Sequence, residues 1–227
     1  MSLDAVTPKK DEIAFVWFNG YSGVTIKTPS KTLVIDPASV DPDVFKSVDA
    51  ILVTHEHYDH LDEGIVQKVH ERTHCLVLAD STSAKRLRDF VSGDKLFEMR
   101  VGKEVKLGNV SVRAEVYKHP AATPVSYLIT TEDGVKVYHT GDSLPHPDMK
   151  QVGDLSPPDI VFCTVGMPAP GASPQSGLEI VRLVKPKAAV PYHAPYVDRK
   201  KFSELVAKEA PKVKGMVVEQ NEVAKYP

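Results

Sequence analysis

Residues 54–60 read Thr-His-Glu-His-Tyr-Asp-His, so three imidazoles and an aspartate carboxylate lie within one short segment. The segment follows residues 50–54, whose apolar and β-branched side chains predict a buried strand. Imidazole and carboxylate together suit Zn²⁺, Mn²⁺ or Fe, whereas Ca²⁺ and Mg²⁺ prefer oxygen ligands alone. The segment therefore predicts a transition-metal site at the carboxyl end of a buried strand.

The spacing of these side chains predicts how they meet. In an extended chain the side chains alternate, so His55, His57 and Asp59 are expected on one side of a continuing strand. His60 joins them only if the chain turns. Asp62 is a favourable N-cap for a helix that starts directly afterwards, and it indicates such a turn.

Three further candidate ligands follow predicted strands elsewhere in the chain. His119 follows a strand over residues 110–117, Asp142 follows one over 135–139, and His193 follows one over 188–191. Taken singly, each is a weak signal, because a lone loop histidine or aspartate is common. Their shared position at strand ends makes them candidates for the same site.

The order of predicted elements indicates an α/β protein. Each half of the chain begins with strands and continues into strand–helix units, which predicts two sheets packed face to face with helices outside. One domain over residues 1–227 is the simplest organisation for this length. The remaining predicted strands cover residues 13–18, 23–28, 32–35, 75–79, 125–131, 160–165 and 213–218, and the helices 62–71, 82–91, 175–184 and 198–208.

Composition excludes several classes of protein. The chain has 227 residues, 42% of them hydrophobic, and a net charge of −2, which argues against a nucleic-acid binder. It has no apolar stretch long enough for a membrane span, and residues 1–11 lack the apolar segment of a signal peptide. We therefore expect a cytoplasmic protein without a membrane partner, in which Cys75 and Cys163 are buried free thiols.

The motif at 55–60, followed by His119, Gly141-Asp142 and His193, resembles the metallo-β-lactamase superfamily over nearly the whole chain. Val34-Ile35-Asp36-Pro37 resembles that superfamily's first motif, in which the aspartate supports the site. The phrase Tyr-His-Thr-Gly-Asp-Ser at 138–143 and the stretch 185–193 are similar to the small metal-dependent hydrolases related to ascorbate-phosphate lactonase. The resemblance implies a four-layer αβ/βα sandwich of two mixed β-sheets, with helices on the outer faces and metals at one edge between the sheets.

The resemblance also implies a dinuclear centre. Two divalent ions are expected, with Zn²⁺ favoured and Mn²⁺ or Fe as alternatives. One ion would be bound by His55, His57 and His119, the other by Asp59, His60 and His193, with Asp142 as the bridge.

These ligands lead to the hypothesis of a metal-dependent hydrolase. A hydroxide shared by the two ions would attack a carbonyl or phosphorus in a small ester, lactone or phosphoester. Asp59 is a candidate to orient that nucleophile or take up its proton. His139 is a second catalytic candidate, although a buried structural role explains it equally well. The loop from Gly166 to Pro174 is expected at the pocket rim, and a homo-oligomer is left open.

Three other functions are alternatives. A nuclease or phosphodiesterase on the same metal pair would call for a basic groove and an RNA-handling extension, and the slightly acidic chain shows neither. An iron-dependent oxidoreductase is a second alternative, although diiron members of the superfamily tend to carry Glu where this chain has His57. A metal-stabilised binding domain without catalysis is the third.

Overall fold

Six strands from the first half of the chain and the last strand form one seven-stranded sheet in the computed structural model, which describes residues 3–227. In spatial order they are β14 (Val223–Tyr226), β1 (Ile13–Trp17), β2 (Val24–Lys27), β3 (Thr32–Ile35), β4 (Ala50–Val53), β5 (Leu76–Asp80) and β6 (Leu96–Met99). The pairs from β14 to β3 are antiparallel, and those from β3 to β6 are parallel. Strands β3 to β6 therefore end at a common carboxyl edge.

A second seven-stranded sheet is built from the other half of the chain in the same way. In spatial order it contains β13 (Lys214–Gly215), β12 (Ala188–Tyr192), β11 (Ile160–Thr164), β10 (Lys136–His139), β9 (Ser126–Thr130), β8 (Val110–Glu115) and β7 (Glu104–Leu107). Strands β10 to β13 are parallel, whereas β7 to β10 are antiparallel. Because two antiparallel pairings separate them, β8 runs in the same direction as β10.

Helices cover the outer face of each sheet. Apolar side chains of α1 (Glu63–Thr73) and α2 (Ser81–Leu87) pack on the first sheet, where Asp62 caps α1 as predicted. The second sheet is covered by α3 (Met149–Leu155), α4 (Pro174–Val184) and α5 (Tyr196–Glu209). The order helix, sheet, sheet, helix confirms the predicted four-layer α/β sandwich.

The largest apolar core lies between the two sheets, since strands of both halves contribute to it. Phe15 of β1 meets Phe162 of β11 edge to face across this core, with ring centroids 5.0 Å apart. Leu52 of β4 is fully buried in the same core, one residue before the strand ends. The inner side chains of β4 therefore anchor the segment that carries the histidines. The single domain expected over residues 1–227 stays a prediction, with residues 1 and 2 outside the described part of the chain.

Several predicted boundaries were wrong. The strand expected over 213–218 is limited to Lys214–Gly215, and beyond it the carbonyl of Val218 accepts from Nη1 of Arg199 at 2.6 Å. The sequence also missed β6, β7, β14 and α3. These elements are short, and α3 contains Gly153, which weakens its helical pattern.

The expected continuation of β4 past Thr54 was wrong as well. The strand ends at Val53, and the carbonyl of His57 accepts from the N–H groups of His60 and Leu61 at 3.0 and 2.8 Å. These bonds close a turn that leads directly into α1. A turn, and not side-chain alternation along a strand, therefore arranges the motif.

Two further expectations concern the whole chain. Both Cys75 and Cys163 are buried free thiols, as predicted. None of the helices within residues 3–227 combines the length and apolar character needed to cross a bilayer.

Leu52→Ala is expected to lower the free energy of unfolding by about 2–5 kcal/mol, because it leaves a cavity in the core between the sheets. Leu155→Ala is the matched control, since Leu155 is 81% exposed at the end of α3 and its truncation should cost less than about 0.5 kcal/mol. Urea unfolding followed by circular dichroism measures both changes. Equal losses in the two variants would contradict this placement of the core.

Candidate metal centre

The seven predicted ligands are brought together at the carboxyl edge of the two sheets. His55 follows β4, Asp142 follows β10, His193 follows β12, and His119 follows β8, which runs in the direction of β10. Because β3 to β6 and β10 to β13 are parallel, segments that follow them leave at one side of the sandwich. Their donor atoms form two adjacent groups, one of His55, His57 and His119, the other of Asp59, His60, Asp142 and His193.

The first group consists of three imidazoles. His57 Nδ1 lies 3.1 Å from His55 Nε2 and 3.3 Å from His119 Nε2. Two nitrogens that bind one zinc ion in tetrahedral geometry are separated by about 3.3 Å, given a Zn–N distance of about 2.0–2.1 Å. The three nitrogens therefore have the spacing of ligands that share one ion.

The second group pairs two imidazoles with two carboxylates, and all four residues are buried. Asp142 Oδ2 lies 3.3 Å from His60 Nε2, and Asp142 Oδ1 lies 3.4 Å from His193 Nε2. Asp59 Oδ2 is 3.5 Å from His193 Nε2 and 3.8 Å from His60 Nε2. These separations again suit donors around a cation. The bridging role expected of Asp142 stays a prediction.

Unsatisfied buried nitrogens test whether these groups fit metal ions. Within residues 3–227, His60 Nε2, His119 Nδ1 and both ring nitrogens of His193 are buried without a hydrogen-bond partner. Each unsatisfied group costs about 1–3 kcal/mol. His60 Nε2 and His193 Nε2 face the carboxylates of the second group, where a bound cation would satisfy both. The side chains therefore fit a metal pair.

The protonation states of the site follow from burial and from neighbouring charges. Burial, together with the nearby His60, holds the pKa of His55 well below its usual value, so its lone pair is available at neutral pH. Burial opposes the charge of His60, but Asp142 and Asp36 raise its pKa well above the usual value. The pKa of Asp142 is lowered by His60 despite burial, so Asp142 stays a carboxylate. A negative charge is thus maintained where a cation would bind.

Asp36 orients the rings from behind. Its Oδ2 accepts from the His60 ring at Nδ1 (2.7 Å) and from the hydroxyls of Ser22 and Thr54 (2.8 Å each), and its Oδ1 accepts from the Thr54 N–H at 2.8 Å. The Thr54 hydroxyl, having donated to Asp36, can accept from Nδ1 of His55 at 3.0 Å. Both rings thus carry their proton on Nδ1 and present Nε2 to the site. This arrangement matches the support expected of Asp36.

Tyr117 is a site residue that the sequence did not reveal. Its hydroxyl accepts a hydrogen bond from the N–H of Asp142 and lies 3.3 Å from His55 Nδ1. Tyr117 therefore contacts one residue of each metal group. Gly141 makes room for it, because a Cβ there would lie 2.5 Å from the Tyr117 oxygen and the backbone has φ +53°. The Gly-Asp pair gave no indication of this contact with Tyr117.

His139 lies behind the site with both ring nitrogens engaged. Nε2 donates to the carbonyl of Ser22 at 2.8 Å, and Nδ1 accepts from the N–H of Gly141 at 3.2 Å. Burial lowers its pKa, which keeps the ring neutral. We therefore interpret His139 as a residue that positions Gly141 and Asp142, and not as the proton-transfer group considered from the sequence.

The loop from Gly166 to Pro174 starts beside the second metal group. A Cβ on Gly166 would lie 2.8 Å from Cβ of Ala194, the residue after His193, and Met167 of the loop is exposed. This contact is compatible with a loop at the rim. Its role in the pocket stays a prediction.

Asp36→Asn is expected to weaken zinc binding by about 10–100-fold, because an amide cannot match the charged acceptor that orients His60. Asp89→Asn is the control, since Asp89 is exposed on the surface. Competition with a chromogenic chelator measures both affinities. Unchanged zinc binding in Asp36→Asn would show that the ring orientation does not depend on this carboxylate.

Comparisons with known proteins agree with this geometry. Residues 21–194 match the family described as Beta-lactamase superfamily domain. The chain is 30% identical over 225 residues to a UPF0173 metal-dependent hydrolase of Caldivirga maquilingensis, covering 92% of this chain and 96% of the relative. It is 32% identical over 185 residues to a UPF0173 protein of Pyrococcus abyssi, covering 78% and 81%. Among solved structures, the metallo hydrolase Igni18 of Ignicoccus hospitalis superposes with a TM-score of 0.81 at 20% identity, covering 95% of this chain and 99% of that one.

Proposed function

Because this chain belongs to the metallo-β-lactamase superfamily, among its UPF0173 metal-dependent hydrolases, we propose that it is a dinuclear zinc enzyme that hydrolyses an ester, lactone or phosphoester bond in a small molecule. The superfamily and the general hydrolase activity expected from the sequence are confirmed. The zinc pair and the substrate class are the parts proposed.

The close approach of the two donor groups carries the proposal. The rings of His55 and His60, which belong to different groups, have centroids only 3.9 Å apart. Ions held by the two groups would be near neighbours, as in two-metal hydrolytic sites. The seven donors comprise five imidazoles and two carboxylates, a set that favours Zn²⁺ over the hard cations Mg²⁺ and Ca²⁺.

The bound ions would supply Lewis acidity, which lowers the pKa of water towards about 7 and polarises the bond under attack. The chain's own contribution is positioning. The two rings tied to Asp36 and Thr54 keep Nε2 directed into the site, and the Tyr117 hydroxyl holds the backbone N–H of Asp142. The site needs little rearrangement before reaction.

Asp59 is the residue proposed to handle the proton. It is 7% exposed, and its Oδ2 faces the His193 ring at 3.5 Å. Burial opposes ionisation of Asp59, but the nearby His193 ring and the charge of His60 lower its pKa overall. A carboxylate that stays ionised at the mouth of the site can orient a water molecule and accept its proton.

His57→Ala is expected to reduce bound zinc from about two ions per chain to about one, because it removes a nitrogen from the first group. Hydrolysis of ester, lactone and phosphodiester test substrates should fall close to the uncatalysed rate. His74→Asn is the control, because His74 ends α1 with φ 52°, a conformation that Asn tolerates. Elemental analysis measures the zinc content of each variant, and turnover of the test substrates measures its activity. Wild-type turnover in His57→Ala would rule out the proposed centre.

Asp59→Asn is expected to lower kcat by about a hundredfold or more. The asparagine amide keeps an oxygen that can bind a metal ion, but it cannot accept a proton. Asp94→Asn, at an exposed position, is the control. Zinc content is measured on the same samples, so that lost metal is told apart from lost proton transfer. Full activity in a zinc-loaded Asp59→Asn enzyme would remove Asp59 from the proposed chemistry.

A further inference from the structure

A cavity of about 550 Å³ opens along the carboxyl edge of the sandwich, next to the candidate metal centre. Its wall is formed where β5, β6 and β8 end and where β9 begins, so it lies at the same edge as the metal-binding groups. Tyr117 belongs to both places, because its ring lines the cavity while its hydroxyl touches His55 and Asp142. A volume of this size can hold a small molecule.

The floor of the cavity is apolar. Met99, Val116, Pro124 and Val125 line it, and the face of the Tyr117 ring adds an aromatic surface. Such a surface suits the apolar body of a ligand, because burial of apolar groups is favourable.

The polar lining residues of the cavity include two cationic side chains, Lys85 and Arg100, and none of the lining residues is acidic, although Glu98 binds Arg100 and Ser81. Lys85 projects from α2, is exposed, and has no hydrogen bond or ion pair within residues 3–227. Arg100 is largely exposed and pairs with Glu98 through Nε (2.8 Å) and Nη2 (2.7 Å), which leaves Nη1 available. His146 accepts from the N–H of Asp148 at Nδ1, so its Nε2 can donate outward. Lys85, Arg100 and His146 thus offer hydrogen-bond donors beside the apolar residues of the cavity.

We propose that this cavity is the substrate subsite for an anionic group, in which Lys85 and Arg100 bind a phosphate or carboxylate carried by an apolar body. The assignment rests on the proposed function, since it makes the substrate of the metal centre an anionic, partly apolar ester or lactone. An unpaired lysine and a guanidinium with a free Nη1 suit such a group, because charge-assisted hydrogen bonds are stronger than neutral ones.

The position of the cavity relative to the metal groups supports the same assignment. The loop that carries His119 continues through Thr123, whose hydroxyl lines the cavity and donates to Asp80 at the start of α2 at 2.5 Å. Glu56, next to His57, accepts from the N–H of Ala122 in that loop at 2.9 Å. One short loop therefore connects the first metal group to the wall of the cavity.

Isothermal titration calorimetry with phenyl phosphate, benzoate and phenol tests the subsite. These probes share an aromatic body and differ in the attached group. We expect Lys85→Met and Arg100→Met to weaken binding of phenyl phosphate, of benzoate or of both by about tenfold, and added salt to weaken wild-type binding. Phenol should bind equally to all variants. The probe whose affinity depends on Lys85 tells whether the group is a phosphate or a carboxylate.

Two controls make the result specific. Lys68→Met changes an exposed lysine on α1, away from the cavity, and should leave all three affinities unchanged. Thermal unfolding checks that Lys85→Met and Arg100→Met remain folded. Equal affinities in wild type and Lys85→Met for both anions, equal weakening in Lys68→Met, or no detectable anion binding to the wild type would each overturn the subsite.

The titrations are repeated after zinc has been removed with a chelator, so that direct binding of the anion to metal does not contribute. Dependence on Lys85 in the metal-free protein supports the cavity even if the chain proves to hold no zinc pair. In that case the proposed function fails while the anion subsite stands. Conversely, a two-zinc hydrolase with no Lys85 dependence retains the function and loses the subsite.

Discussion

The buried carboxylate of Asp36 is the constraint on which the arrangement of this site depends. It is fully buried at the end of β3, where an isolated charge would be costly. Four donors offset that cost, from Ser22, from the backbone and hydroxyl of Thr54, and from the His60 ring. The bonds join the end of β3, the end of β4 and the turn before α1. The same interaction that makes the buried charge tolerable therefore orients the rings.

The parallel strands within each mixed sheet explain why ligands that are distant in the sequence lie close together. Parallel strands leave the sandwich at one edge, so residues after β4, β8, β10 and β12 approach each other without long connections. The core between the sheets fixes the distance across that edge, with contacts such as Phe15 on Phe162. A change of sheet packing would separate His119 and His193 from the motif at 55–60. The metal centre is thus a property of the whole sandwich.

Different parts of the carboxyl edge serve different tasks. In the proposed function, the donors at the meeting point of the sheets would determine which cation is bound and therefore how it activates water. The cavity lined by Tyr117, Lys85 and Arg100 is the part that we propose selects the substrate. Tyr117 connects the two regions, since one side chain supports His55 and forms part of the cavity wall.

The sequence by itself determined the fold class, most long strands and the seven candidate ligands, because apolar periodicity and a dense His/Asp motif are local signals. It did not reveal β6, β7, β14 or α3, whose short patterns carry too little local information. It indicated the turn before the helix capped by Asp62 but extended the strand past Thr54, and it gave no sign that Tyr117 reaches His55. The family resemblance implied which ligands share a group, but only the tertiary structure decided which nitrogens of their rings face inward. Those outcomes depend on contacts between residues far apart in the chain, which form only when both sheets pack around their common core.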